Sequence, residues 1–136
     1  MKIIGQVPWL ILSLILFNVL VFSGVELKTI RFSIPLPKTS CPISWNDLIL
    51  IFSVVILYIE LFKSTRTHVG SVIEHVFSLF VFLVFLLEFI LVEQCGTATF
   101  FILMLLSLVD IIAGFTITIS TARRDLAMPH GGHGGH

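Results

Sequence analysis

The residue with the clearest chemical potential is Asp110, a carboxylic acid near the middle of a long apolar segment. An ionisable side chain at the centre of a bilayer costs roughly 2.5–3.5 kcal/mol on insertion scales, so it is a candidate functional residue. Counting from the segment ends places Asn18 and Ser53 at a similar depth. We therefore predict a mid-membrane polar layer of Asn18, Ser53 and Asp110. Three roles are open for its carboxyl: a protonated donor that holds the helices together, an ion or proton site, and a contact with another subunit.

A second carboxyl, Glu88, lies near one end of its apolar segment, about five residues or roughly 8 Å of helical rise from it. At this depth it can extend to the membrane surface or pair with a cation of the preceding long link. The cations of that link are Lys28, Arg31 and Lys38. We predict that Glu88 pairs with one of them, and a place on an ion path is the alternative.

Charged residues also collect where the second apolar segment ends and the third begins. They are Glu60, Lys63, Arg66, Glu74 and His75. Ionisable residues near helix ends in a membrane pair with one another. We predict an interfacial ring of ion pairs that anchors the helices, and the alternative is an inner vestibule for a cation or a proton.

The elements that position these residues follow from the composition. Of 136 residues, 57% are hydrophobic and 12% are charged, about half the charged fraction of a soluble domain. Eight basic residues against eight acidic ones leave no basic excess of the kind that nucleic-acid binding needs. Metalloprotease, nucleotide-loop and catalytic-triad patterns are missing from the sequence. We therefore expect a non-catalytic integral membrane protein that contacts lipid and no nucleic acid.

Four apolar segments approach the roughly 20 residues that a membrane-spanning helix needs. They cover about 7–24, 45–62, 71–92 and 97–121. The first is long for a signal peptide, so we interpret it as an uncleaved helix. Because the later links are short, neighbouring helices must be antiparallel. The prediction is an all-α membrane protein with a four-helix transmembrane bundle over residues 1–127.

The long link between the first two segments has a pattern of its own. Ile30, Phe32, Ile34 and Leu36 alternate with polar residues and proline. A two-residue period is typical of a strand with one apolar face, and proline limits it to an edge or a short hairpin. We predict a small β-like cap on the outer ends of the helices, with an irregular surface loop as the alternative.

Basic residues indicate the orientation, since cytoplasmic loops of membrane proteins carry more lysine and arginine. One side of the predicted bundle holds Lys2, Lys63, Arg66, Arg123 and Arg124. The other side holds only the three cations of the long link. We therefore expect a multi-pass protein with both termini in the cytoplasm.

The two cysteines, Cys41 and Cys95, both fall in links on the predicted outer side. That side is an oxidising environment, which permits a disulfide. We predict a bridge that joins the cap to the bundle, and two unrelated buried thiols are the alternative.

Residues 128–136 form a tail rich in histidine and glycine. His130, His133 and His136 are separated by glycine pairs, and imidazoles at such spacing can bind a divalent metal such as zinc, copper or nickel. Contact with a partner and the absence of any role are the two other interpretations. No other cofactor is expected.

The fourth segment and its exit resemble a group of small, uncharacterised bacterial proteins with four membrane spans. The similar stretches are Val109-Asp110-Ile111-Ile112-Ala113-Gly114-Phe115 and Ala122-Arg123-Arg124-Asp125, and the likeness extends to Glu60–Thr67 and Glu88-Phe89. The resemblance implies a location in the bacterial inner membrane. It implies no activity, and the tail has no part in it.

Together these features favour an accessory or structural subunit of a membrane complex, or a bundle that assembles with copies of itself. Phenylalanine on nearly all sides of the third segment supports contact with other helices. The first alternative is an oligomeric channel or transporter for ions or protons that uses Asp110, Glu88 and Glu60. The second is a metal-handling protein that uses the tail histidines.

Overall fold

The computed structural model describes residues 8–64 and 71–127. Within these ranges the chain is mostly helical, with four α-helices and one small antiparallel sheet. In chain order the elements are α1 (Ile11–Phe22), β1 (Ile30–Pro35), β2 (Ser40–Ser44), α2 (Trp45–Ser64), α3 (Ser71–Leu91), a 3-10 turn (Glu93–Cys95) and α4 (Ala98–Ala127). The predicted helical class and the predicted β-like link are both confirmed.

Three helices of the described chain are long and apolar enough to cross a membrane, over Trp45–Lys63, Ile73–Leu91 and Ala98–Ile117. The prediction of a fourth span is not met, because α1 has only 12 residues. At 1.5 Å per residue such a helix rises about 18 Å, whereas the hydrocarbon core of a bilayer is about 30 Å thick. The described residues therefore form three candidate spans and one shorter apolar helix.

The end of α1 explains why this helix is shorter than its apolar run. Gly24 has a φ of 84°, a left-handed conformation that glycine adopts without a Cβ clash. The Gly24 N–H bonds the Val21 carbonyl, and the Val25 N–H bonds the Leu20 carbonyl. These two bonds form a Schellman motif, which ends a helix by satisfying its last carbonyls. A turn also precedes the helix, so its predicted limits, residues 7 and 24, were both too wide.

The strands β1 and β2 form a hairpin with a two-residue turn. Leu36 and Thr39 exchange backbone hydrogen bonds of 2.8 and 3.3 Å across Pro37 and Lys38. Pro35 and Pro42 are tolerated within the strands because both strands of a two-stranded sheet are edges. The alternation of apolar residues therefore predicted the correct local structure.

The alternating apolar residues of the long link do not cover the helix ends as a cap would. Ile30, Phe32, Ile34 and Leu36 each keep 45–57% of their surface exposed. Ile43 of β2 is buried, and β2 contacts α2. The hairpin thus buries one apolar side chain of β2 and leaves the apolar side chains of β1 exposed.

Side-chain caps fix where two of the long helices begin. Ser44 Oγ accepts a hydrogen bond from the Asp47 N–H at 3.4 Å, and Asp47 Oδ2 accepts one from the Ser44 N–H at 2.9 Å. This reciprocal pair is a capping box, and it starts α2 directly after β2. Thr97 Oγ1 caps α4 by accepting the Phe100 N–H at 3.2 Å.

The helix α4 is central, because it packs against both α2 and α3. Among the largest fully buried side chains are Phe17 of α1, Phe85 of α3 and Phe100 of α4. Ring centroids lie 4.9 Å apart for Phe17 and Phe100, and 5.4 Å apart for Phe85 and Phe100. This aromatic triple joins three helices. Below, the end of the bundle that carries β1 and β2 is the hairpin end, and the opposite end is the Lys63 end.

Candidate functional site

Asp110 lies on α4 with only 5% of its surface exposed. The Ser78 hydroxyl of α3 hydrogen-bonds its carboxyl, and its charged neighbours are Glu60, Lys63 and Glu74. These neighbours come from the last turns of α2 and the first turn of α3. Asp110 therefore belongs to a charged group toward the Lys63 end and not to an isolated layer in mid-membrane.

The carboxylate cluster, which we define as Glu60, Glu74 and Asp110 around Lys63, is assembled by three helices. Lys63 acts electrostatically on each of the three carboxyls, and the carboxyls act on one another. The cluster combines the predicted interfacial ring with the predicted mid-membrane acid. Within this group three acids face one ammonium, so the group carries an excess of negative charge whenever all three are ionised.

Glu60 also holds the start of α1. Its Oε1 accepts a hydrogen bond from the backbone N–H of Trp9, and its side chain is 7% exposed. N–H groups at the beginning of a helix lack intrahelical acceptors, and the helix dipole favours a negative charge there. The cluster therefore ties the short first helix to α2 as well as joining the longer helices.

His75 lies next to the cluster, against α4. Its ring stacks on Phe115 with centroids 4.2 Å apart. A Cβ built on Gly114 would lie 3.1 Å from His75 Cε1, which is closer than side chains normally approach. Gly114 therefore provides the space in which the imidazole packs. Arg66, the remaining member of the predicted ring, lies outside the described residues.

The predicted layer of Asn18, Ser53 and Asp110 is not formed. The Ser53 hydroxyl hydrogen-bonds that of Ser13 at 2.8 Å, and both residues are fully buried. Asn18 Nδ2 donates to Glu88 Oε2 at 3.0 Å. Each of the three residues has a different partner. Their depths were predicted by counting residues from the helix ends, and such a count does not give the register in which the helices pack. The sequence analysis did not identify Ser13 as a partner of Ser53. The signal that could have identified it was a polar residue within the apolar first segment.

Glu88 has its partner inside the bundle and not in the long link, where the sequence predicted one. The amide of Asn18 reaches it from a neighbouring helix, so the carboxyl is satisfied without extending to the surface. The guanidinium of Arg31 instead lies over the Trp45 ring, 5.3 Å from its centroid. The two lysines of the link are exposed.

Cys41 and Cys95 are free thiols, so the predicted disulfide is not formed. Cys41 is exposed on β2, whereas Cys95 is fully buried and belongs to the same core cluster as Phe100. Burial, with a smaller contribution from the negative charge of Glu88, raises the pKa of the Cys95 thiol to about 11. Since the thiolate is the reactive form, Cys95 is inert at neutral pH.

Residues 8–64 and 71–127 contain no group of three or more His, Cys, Asp or Glu that could hold a metal ion. The predicted metal ligands His130, His133 and His136 lie outside the described residues. The metal site of the tail stays a prediction.

These features define a small helical protein with three helices suited to span a membrane and a charged cluster buried between them. No family model, curated protein or solved structure matches the chain. The functional conclusion therefore depends on the geometry of its own residues.

Proposed function

We propose that the chain is a non-catalytic membrane subunit that acts by helix contact, within a larger complex or with copies of itself. The open side of α3 carries this proposal. This helix buries 17% of its candidate span inside the chain, against 28% for α2 and 39% for α4. Its exposed apolar residues include a run at alternating spacings of three and four, the α3 seam: Ile73, Val76, Phe80, Leu83, Leu87 and Ile90. That spacing forms one continuous stripe of the kind along which helices pack.

The polar groups of the bundle are satisfied internally, which leaves the contact surface apolar. No buried side-chain nitrogen or oxygen in the described part of the chain lacks a hydrogen-bond partner. Ser13 pairs with Ser53, and Asn18 pairs with Glu88. Van der Waals packing, and not the hydrophobic effect, drives association between apolar helices in lipid. The α3 seam is therefore suited to contact with another helix.

Native mass spectrometry of the protein in lipid nanodiscs tests the contact function. We expect assemblies larger than one chain, either multiples of its own mass or complexes with other subunits. The double substitution Phe80→Ala and Leu87→Ala should dissociate them, because both side chains are exposed on the α3 seam. The loss would come from packing between helices.

The matched control removes similar side chains from another helix. Ile51→Ala with Val55→Ala truncates two exposed apolar residues of α2 and should leave the assembly intact. A lone monomer in membranes, with no bound subunit, would contradict the contact function. If both double variants dissociate the assembly, the contact cannot be assigned to the α3 seam in particular.

The carboxylate cluster favours a second candidate, conduction of protons or small cations. Carboxyls of three helices act on one another there, and carboxyl groups within membrane spans mark paths for protons and cations. Among the described residues, the fully buried rings of Phe17, Phe85 and Phe100 fill the space between α1, α3 and α4, where a path through one copy would have to run. Conduction would therefore require several copies of the chain.

Flux into liposomes separates the two candidates. Asp110→Asn should abolish proton or sodium flux if the cluster conducts, because an amide cannot exchange the charge. Glu88→Gln is the control, since Glu88 pairs with Asn18 outside the cluster. Equal flux in wild type and Asp110→Asn would exclude the cluster from conduction. The contact function expects Asp110→Asn to retain assembly, because the amide still hydrogen-bonds Ser78.

A further inference from the structure

The hairpin has one apolar face whose members the pairing identifies. Phe32 lies opposite Ile43, and Ile34 lies opposite Cys41. Directly paired residues of antiparallel strands project from the same side of the sheet. Ser33 pairs with Pro42 and belongs to the other side. We refer to the side of Phe32, Ile34, Cys41 and Ile43 as the apolar face.

The apolar face is incompletely covered by the chain. Phe32 and Ile34 keep 50% and 45% of their surface exposed, and only Ile43 of this face is buried. Such a surface needs either an apolar environment or a partner. Its position in the molecule decides between them.

The hairpin lies at the boundary of the candidate spans. β2 ends at Ser44, and α2 begins at Trp45 without a linker. The span from Trp45 to Lys63 rises about 27 Å, close to the thickness of a hydrocarbon core. Tryptophan is enriched at membrane–water boundaries, and the other one, Trp9, lies at the opposite end beside Glu60. With α2 spanning the membrane between the two tryptophans, the start of the helix, and the hairpin with it, would lie at the level of the lipid headgroups.

The hairpin itself, from Ile30 to Ser44, carries basic residues and no acid, whereas two exposed acids, Glu26 and Glu93, flank it at the same end. Lys28, Arg31 and Lys38 are all exposed. The carboxyl of Asp47 is already bound to Ser44 in the capping box, at 2.9 Å from both its N–H and its hydroxyl. Exposed cations close to a membrane surface attract anionic headgroups.

A bulge in β1 adds a fixed contact at the same level. Arg31 falls where the register shifts, between the pairs Ile30–Ser44 and Phe32–Ile43. Bulges re-aim side chains, and here the guanidinium lies over the Trp45 ring. The contact joins β1 to the first residue of α2 and so orients the hairpin relative to the membrane boundary.

We propose that the hairpin is an anchor in the headgroup layer at the hairpin end, which binds anionic phospholipid. Phe32 and Ile34 enter the outermost part of the acyl chains, and Lys28, Arg31 and Lys38 lie among the phosphates. The inference rests on the chain spanning the membrane and is independent of what α3 binds. It assigns the long link a lipid ligand in place of a role as a cap.

The free thiol of Cys41 provides the test, since Cys95 is buried and inert. A spin label on Cys41 of the full chain, in nanodiscs of phosphatidylcholine and phosphatidylglycerol, reports collisions with oxygen and with a water-soluble nickel chelate. We expect the label on Cys41 to collide more often with oxygen, which is concentrated in the membrane, than with the nickel chelate. The control carries the label on the other face, as Ser33→Cys in a Cys41→Ser background. There the ratio of oxygen to nickel accessibility should be severalfold lower.

A second arm tests the anionic headgroup. Replacing phosphatidylglycerol with phosphatidylcholine should lower the oxygen-to-nickel ratio at Cys41. The triple variant Lys28→Gln, Arg31→Gln and Lys38→Gln should abolish this dependence on lipid composition. The charge-retaining variant Lys28→Arg with Lys38→Arg should keep it.

Three results would overturn the anchor. Equal access of nickel to labels on both faces would place the hairpin in water. Shielding of the Cys41 label from both reagents would show that protein covers this face. No response to phosphatidylglycerol would exclude the anionic headgroup as the ligand. Each result is obtained with the chain integrated in the nanodisc, so none depends on the assembly measured for the α3 seam.

Discussion

Phe100→Ala is expected to lower the free energy of unfolding by about 3 kcal/mol, near the lower end of the range for buried phenylalanine. Phe100 is fully buried and contacts Phe17 and Phe85, so its ring joins α1, α3 and α4. Truncation leaves a cavity that all three helices line. In a bilayer the unfolded helices stay in an apolar medium, so transfer of the ring into water contributes little to the loss. The loss of stability comes from the packing contacts of the ring.

Unfolding in mixed micelles with increasing denaturing detergent measures this loss. Phe22→Ala is the matched control, because Phe22 is 62% exposed at the end of α1. The control should change the free energy of unfolding by less than about 0.5 kcal/mol. Similar losses in both variants would show that the aromatic triple is not the structural centre of the bundle.

The long helices could be predicted from the sequence because their apolar runs are long and contain few charged residues. The predicted segments 45–62 and 71–92 agree closely with α2 (Trp45–Ser64) and α3 (Ser71–Leu91). The first segment was predicted too long, since hydropathy does not register the left-handed backbone at Gly24 that ends α1. Composition identifies apolar stretches, but backbone hydrogen bonding determines how much of each is helix.

The candidate site was harder to predict, because depth was counted from assumed helix ends. The structure extends α4 to Ala127, ten residues beyond the candidate span that ends at Ile117. The predicted end at residue 121, which was used for counting, matches neither the end of α4 nor the end of its candidate span. Asp110 and Glu60 meet through the register between α2 and α4, which no local pattern encodes. The positions of the charged residues in apolar segments indicated a candidate site, but the partner of each charged residue could not be predicted from the sequence.

The sequence contained two local signals that could have improved the prediction. The spacing of Ser44 and Asp47 matches a capping box and locates the start of α2. The alternation in the long link predicted the hairpin, although not which surface its apolar face would contact. That choice depends on tertiary packing, which buries Ile43 of β2 and leaves Phe32 and Ile34 of β1 exposed.

Lys63→Met is expected to destabilise the protein at neutral pH by about 2 kcal/mol, less than the loss of a partner from a fully buried ion pair because Lys63 is partly exposed. The substitution keeps most of the aliphatic side chain and removes the charge that faces Glu60, Glu74 and Asp110. Without that charge, the three carboxyls repel one another whenever they are ionised, in a medium of low dielectric constant. Detergent-induced unfolding of the variant measures the loss.

The pH dependence distinguishes lost charge from lost packing. Acidification protonates the carboxylates and so removes the repulsion that the variant cannot balance. The difference in stability between wild type and Lys63→Met should therefore shrink as the pH falls. Adding Asp110→Asn to Lys63→Met should recover part of the stability at neutral pH, because one of the three charges is gone. A deficit that stays constant with pH, and that Asp110→Asn does not reduce, would mean that Lys63 supports the bundle through its aliphatic chain and not by balancing the cluster.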